Sequence, residues 1–314
     1  MDIKKLRYFI AIAETGSFSR AAEQLHVAQP ALSQHILAME SACGVKLLQR
    51  NARGVVLTEA GLRLLNRARY IDTAFADLTD FVRGEAIPAG KVRFGMPGTI
   101  NEQLCVPLIE ACHREYPEIQ IRVSEAMSGF VLNWLRDGSI DLALLYNTED
   151  QQGLHLHHML TEDVVLFGPK EFSKKPTSKT ITLAKSLQLP LILPGDDHGL
   201  RLLINAAARS IGQSVKPKIE IDSYRQIKGL VLRGLGYAML PAMAVKQEVS
   251  DGIFDVWRIT EPGIERKICL GYQADRPVRA ASRAVARLSW TILHELVMAG
   301  DWTATWNKSE TLPL

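Results

Sequence analysis

Thr15-Gly16-Ser17-Phe18-Ser19-Arg20-Ala21-Ala22-Glu23-Gln24-Leu25-His26-Val27-Ala28-Gln29-Pro30-Ala31-Leu32-Ser33-Gln34 decides how the chain begins. Thr15-Gly16 breaks the apolar face that Leu6, Phe9, Ile10 and Ala13 make at helical spacing. Ser17 stands where an N-cap belongs, and Phe18, Ala21, Ala22 and Leu25 make a second short face. After the break at His26-Val27-Ala28, Pro30 fits only the first turn of a third helix, whose apolar side is Ala31, Leu32, Ile36 and Met39. Small Ala21 and Ala22 let the second helix lie close to the third. Leu47-Leu48 and Val55-Val56-Leu57 read as short strands around the basic turn Arg50-Asn51-Ala52-Arg53-Gly54. Three helices with a tight second turn and a β-wing, over residues 1–57, make a winged helix-turn-helix.

The third helix presents Gln29, Ser33 and Gln34 opposite Leu32 and Ile36. Gln bonds adenine bidentately, Ser reaches base edges or phosphates, and the Pro30 ring suits a thymine methyl. Arg50 and Arg53 on the wing are placed for phosphates or the minor groove. Ser17 and Ser19, at the start of the second helix, complete the DNA-facing set. The competing reading is the polar surface of a small helical domain.

From Thr58 the pattern changes. Leu65, Ala68, Ile71, Phe75, Leu78 and Val82 recur at steps of three and four until Gly84, which predicts one helix of about 27 residues, about 40 Å long. Its apolar seam is narrow, so it needs a partner along its length. Arg63, Arg67 and Arg69 read either as phosphate contacts or as a solvated face. Ile87-Pro88-Ala89-Gly90 ends this linker, residues 58–90.

Residues 91–314 alternate strands and helices, which predicts largely parallel sheets covered by helices. The strands expected are 92–95, 119–123, 142–146, 164–167, 191–193, 219–221, 237–240, 254–258 and 268–272. The first runs into Met96-Pro97-Gly98-Thr99 and a helix, placing backbone N–H groups and the Thr99 hydroxyl at a positive helix end. Ser128-Gly129 offers a similar place. Open α/β sheets bind ligands at such strand C-termini. Asn101, Tyr146, Asp222, Ser223 and Tyr224 are further candidates to line a pocket there. Hydroxyls beside helix N-termini suit a small anion such as a carboxylate. Thr99 and Ser128 also read simply as helix caps.

The opening stretch, with Leu6-Arg7-Tyr8-Phe9 before it and Gly44-Val45-Lys46-Leu47-Leu48, Arg50 and Leu57-Thr58-Glu59-Ala60-Gly61 after it, closely resembles the LysR-type transcriptional regulators. The likeness runs on through Tyr116-Pro117 and Asp141-Leu142-Ala143 to Gly234-Leu235-Gly236-Tyr237-Ala238-Met239-Leu240-Pro241. Around Gly98-Thr99, Ser128-Gly129 and Leu144-Leu145-Tyr146-Asn147 it has some likeness to the nitrogen-assimilation control branch. Ala28 stands where the family often has Ser or Thr, and lacks a side-chain cap, which loosens the start of the third helix by about 1 kcal/mol.

The resemblance implies a multidomain α and α/β protein that regulates transcription at double-stranded promoter DNA. The helix from Thr58 would pair antiparallel with its copy in a homodimer, commonly assembled further to a homotetramer that contacts RNA polymerase. The C-terminal part would resemble a periplasmic solute-binding protein, with subdomain I at 91–161 and 266–303 and subdomain II at 162–265. A small-molecule effector would sit between them. The alternative within the family is a regulator that acts through its concentration, without a ligand.

Composition agrees with a regulator. A net charge of +3 over 314 residues confines any nucleic-acid surface to a local patch. The charged start and the short run Tyr8 to Ala13 predict no signal peptide, and no stretch suits a membrane helix. With Cys43, Cys105, Cys112 and Cys269 as reduced thiols, the expectation is a cytoplasmic protein. Gly234-Leu235-Gly236 lacks the third glycine of a dinucleotide motif. His155, His157 and His158 lack the Cys or carboxylate pattern of a metal site, and Met298 spoils a zinc-protease reading of His294-Glu295. No nucleophile elbow or phosphate loop appears. No enzyme, cofactor or metal is expected.

Overall fold

The computed structural model describes residues 2–51, 54–82, 88–146, 152–171, 176 and 178–308. Helices α1 (Ile3–Thr15), α2 (Phe18–Leu25) and α3 (Gln29–Cys43) enclose a core of Phe9, Ile12, Ala21, Leu32 and Ile36. Gly16 ends α1 in the left-handed conformation, and the Ser17 hydroxyl accepts from Arg20 N at 3.4 Å to start α2. Ala28 gives α3 no side-chain cap, and Pro30 occupies its first turn.

Strands β1 (Leu48–Asn51) and β2 (Gly54–Leu57) form the antiparallel wing. A Cβ on Gly54, at φ 127°, would lie 2.7 Å from the Gly16 carbonyl oxygen, so only glycine lets the wing close on the α1–α2 turn. Val55 N seals that contact with a 3.0 Å bond to the same oxygen. The wing is held to α3 by Glu40, 7% exposed, which accepts from Leu47 N at 2.9 Å, Leu48 N at 3.2 Å and Lys46 Nζ at 2.7 Å. Burial raises the Glu40 pKa, but Lys46 and the two amides outweigh it and hold the group below its ordinary value.

Helix α4 (Glu59–Val82) follows, 24 residues long; the expected stop at Gly84 and the residue Ile87 lie outside the described residues. Its apolar seam divides. Leu65 and Ala68 are buried in the N-terminal core, whereas Ile71, Phe75 and Leu78 are exposed. Leu65 is therefore not part of the stripe left in water, because α1 already covers that turn.

The rest is one continuous sheet system. In chain order come β3 (Gly90–Met96), α5 (Gly98–Glu115), β4 (Ile119–Glu125), α6 (Ser128–Arg136), β5 (Leu142–Tyr146) and the long β6 (Leu154–Pro169). Next are β7 (Thr180–Thr182), α7 (Leu183–Ser186), β8 (Leu191–Leu193), α8 (Gly199–Ser210), β9 (Ile219–Glu220), α9 (Tyr224–Leu232) and β10 (Tyr237–Pro241). A 3₁₀ turn, α10 (Lys246–Ser250), β11 (Phe254–Thr260), β12 (Glu265–Gln273), α11 (Ala280–Met298) and β13 (Thr305–Trp306) complete it. Strand order is β4-β3-β5-β12-β6-β10-β8-β9.

The sheet is mixed rather than largely parallel. β3, β4 and β5 are parallel to one another, as are β8, β9 and β10, but β6 and β12 pair antiparallel with their neighbours. The chain must cross between two halves and return, and those two strands do so. Each half has its own apolar core, one around Phe94, Leu104, Leu144 and Val285, the other around Phe167, Ile192, Ile204 and Met239. Among the described residues no helix is long and apolar enough to cross a membrane.

Replacing Glu40 with Ala removes the acceptor of the buried Leu47 amide and the half-buried Leu48 amide, with an expected cost of about 1–3 kcal/mol in chemical denaturation. Because the folded pKa is depressed, this contribution is complete above the ordinary value of 4.5 and fades as pH falls through the folded value. The Glu40→Ala variant should lose that part of the pH dependence.

Candidate functional site

Two surfaces collect the residues singled out above. On the first, Gln29, Pro30 and Gln34 are exposed and Ser33 is half-buried, while Leu32 and Ile36 point into the core. Gln29 Nε2 donates to Ser33 Oγ at 3.1 Å. One amide hydrogen is thus used, and Oε1 with the second hydrogen remains as an acceptor–donor pair that matches adenine. Ser19 and Gln29 line the same open concavity between α2 and α3, with His26 beside them. Ser17 is committed to capping α2. Arg53 and the Arg50 side chain lie outside what is described; Arg50 has its backbone on β1, opposite Val55. Arg63 pairs with Glu59 on an exposed face, and Arg67 lies 3.7 Å from Asp275. Arg69 matches neither reading offered for it: it is 8% exposed and bonds Glu14 and Ser139 inside the molecule.

The second surface is a cleft of about 360 Å³ between the two α/β halves. The first residues of four helices reach it: Gly98 of α5, Ser128 of α6, Gly199 of α8 and Tyr224 of α9. It brings together Pro97, Gly98, Thr99, Ser128, Tyr146, Asp222, Ser223 and Tyr224; Asn101 and Gly129 do not line it. Neither Thr99 nor Ser128 acts as a helix cap. Thr99 Oγ1 bonds the Tyr146 hydroxyl and accepts from Arg266 Nη2 at 3.0 Å, and Ser128 Oγ accepts from Tyr146 N at 3.2 Å. Ser223 is a cap, accepting from Gln226 N at 3.4 Å. An adjoining lobe of about 260 Å³ shares Ser128, Tyr146, Gly199, Leu200 and Arg266 and adds Leu202 and Leu203.

Arg266, a residue that sequence reasoning did not single out, forms the floor. It is 2% exposed, its guanidinium lies 3.7 Å from the centroid of the Tyr146 ring, and its Nε donates to Glu162 Oε1 at 2.8 Å. The other carboxylate oxygen of Glu162 accepts from Trp302 Nε1 at 3.0 Å. Burial disfavours the Arg266 charge, but Glu162 more than offsets it and the pKa rises. Burial pushes the Tyr146 and Tyr224 phenols up, so both remain neutral donors. It pushes His198 down, with Asp222 opposing and Arg266 assisting. Since His198 Nδ1 accepts from Leu200 N at 3.1 Å, the neutral ring carries its proton on Nε2. Glu102, Glu125 and Arg225 stand around the same cleft.

Other candidates do not assemble. His157 bonds the Tyr272 hydroxyl at 3.2 Å and His158 bonds Thr161, and no group of three or more metal-type ligands occurs among the described residues. Burial raises the thiols of Cys105 and Cys112.

Comparison with known proteins places both parts of the chain in one family. Residues 3–62 match the family model for the bacterial regulatory helix-turn-helix protein, lysR family, and residues 85–291 match the LysR substrate binding domain. The nitrogen assimilation regulatory protein nac of Escherichia coli K12 is 32% identical over 304 residues, 95% of this chain and 97% of that protein. A full-length OxyR variant from Pseudomonas aeruginosa superposes with a TM-score of 0.79 at 23% identity, over 93% of this chain and 94% of that one. Full-length CbnR, solved in complex with its target DNA, gives 0.53 at 23% identity, over 94% and 99%. These two establish likeness of fold.

The buried pair makes its own prediction. Glu162→Ala strands the Arg266 charge, and the expected loss is about 3–5 kcal/mol in urea unfolding. Glu162→Gln, which keeps an acceptor, should lose less.

Proposed function

This chain belongs to the LysR family of DNA-binding transcriptional regulators, and we propose that it answers to a small organic anion held between the halves of its effector-binding domain. The observation that carries this reading is the convergence of four helix N-termini, the Thr99–Tyr146 hydroxyl pair and Arg266 on one cleft. Each helix start contributes partial positive charge, which favours a carboxylate. The adjoining lobe adds Leu200, Leu202 and Leu203, which suits an anion with an apolar body. Burial raises the pKa of Cys105 and Cys112, which disfavours either as a peroxide-sensing thiolate.

On the DNA side, Gln29, Pro30, Ser33 and Gln34 read bases from the major groove, with Ser19 beside them and Arg50 and Arg53 on the backbone. The exposed stripe Ile71, Phe75 and Leu78 on α4 supports a partner along that helix. The partner in this reading is a second copy, paired antiparallel and assembled to a tetramer in the cytoplasm. The reading includes contact with RNA polymerase at the promoter. Cleft closure favours one setting of the dimer only if the anion binds the two settings unequally.

A second reading has support of its own. Arg266 is already matched by Glu162, and Thr99 and Tyr146 bond each other. A cleft satisfied from within suits a regulator governed by its concentration.

Gln29→Ala is expected to cost about 1–3 kcal/mol at the selected site and nothing on random DNA; equal losses on both would remove the base-reading role. For the cleft, thermal shift against monocarboxylates with aliphatic or aromatic bodies separates the two readings. An acid at about 100 times its Kd should stabilise the wild type by about 2.7 kcal/mol. Thr99→Val should lose that shift and keep DNA affinity. No shift with any acid favours control by concentration.

A further inference from the structure

We infer that Arg69 is a positioning residue for DNA recognition: with Arg276 it sets the angle at which α4, and through it the reading domain, leaves the effector-binding domain. Arg69 Nη1 donates to Ser139 Oγ at 3.0 Å and to the Asp137 carbonyl at 3.4 Å, while Nη2 donates to Glu14 Oε1 at 3.3 Å. One guanidinium thus joins α1, α4 and the turn between α6 and β5. One helical turn earlier, Arg276 Nη2 donates to the Asn66 carbonyl at 3.0 Å. The Arg276 guanidinium lies against Gly138, which at φ 72° has no side chain to displace it.

The bridging contacts are polar, and this bears on their role. Glu14 and Asp137 are about two-fifths exposed, so these ion pairs contribute little stability. Hydrogen bonds from a planar fork are directional, however, and fix an angle. Arg69 Nε and Asn66 Oδ1 are buried without partners among the described residues, so the joint is not fully satisfied by its own groups.

The joint also shares elements with the cleft. α6 starts at Ser128 in the cleft and ends beside Asp137. β5 ends at Tyr146 in the cleft and starts next to Asp141, near the joint. β12 carries Arg266 under the cleft and runs into Asp275 and Arg276. A displacement at Ser128 reaches Asp137 along a helix of nine residues.

The test is selection of binding sites from random DNA by the full-length protein, which reports half-site sequence and spacing separately. It rests on the proposed dimer; a wild-type protein selecting lone half-sites refutes the inference together with that dimer. The double variant Ser139→Ala/Arg276→Ala changes neither the reading domain nor α4. It should keep the half-site sequence, broaden the selected spacing, and lose about tenfold in affinity for the wild-type spacing, roughly one charged hydrogen bond. Affinity for one half-site should change less than about twofold. Arg69→Lys, which keeps charge and loses the fork, should behave alike. Wild-type spacing in both variants, or equal losses on half-site and full site, would overturn the inference and leave Arg69 a structural residue.

Discussion

A guanidinium and a carboxylate, 2% and 1% exposed, face each other where β6 and β12 run side by side, and the effector-binding domain is arranged around that pair. Either charge alone so deep would be strongly destabilising, since the effective penalty is several kcal/mol per ion. Arg266 therefore requires Glu162 in register on the neighbouring strand, Thr99 at the start of α5, and the Tyr146 ring beneath its face. Glu162 in turn requires the Trp302 indole, which brings the segment after α11 back against the crossing. Five separate stretches of chain meet at one ion pair. The cleft follows from that pinning: strands that end together release their helices together, and the helix N-termini then face one space.

The parts legible in the sequence are those written locally. Gly16, Ser17 and Pro30 each impose one backbone state, so the three helices and the wing could be read residue by residue. Short apolar runs marked the inner strands. The first half of β6 carried no such mark, because His155, His157 and His158 interrupt it and its pairing with β12 lies more than a hundred residues away. Arg266 and Glu162 were hidden for the same reason. Glu265-Arg266-Lys267 and Thr161-Glu162-Asp163 look solvated, and only the strand's alternation turns the middle residue inward.

Helical phase explains the two cleft candidates that fell outside. Asn101 is two residues past Thr99, about 200° around α5, so Glu102 occupies the place assigned to it. Gly129 is likewise one step past Ser128. Arg69 escaped through a different gap. On a lone helix it belongs to a charged face, and only the arrival of Glu14 and Ser139 from distant sequence buries it. Leu65 was misassigned by the same omission, since α1 covers it before any second chain arrives.

The departure at Ala28 acquires a meaning once α3 is seen in place. A Ser or Thr there would bond the first amides of the helix; with Ala28 and Pro30, the Gln29 and Ala31 amides have no side-chain acceptor from the cap position. In an isolated domain this is a loss of about 1 kcal/mol. In general a helix N-terminus with free amides favours an anion electrostatically. The internal Gln29–Ser33 bond steadies the first turn meanwhile. The first turn of α3 is thus held by that side-chain bond and by the fixed backbone of Pro30 rather than by a cap residue.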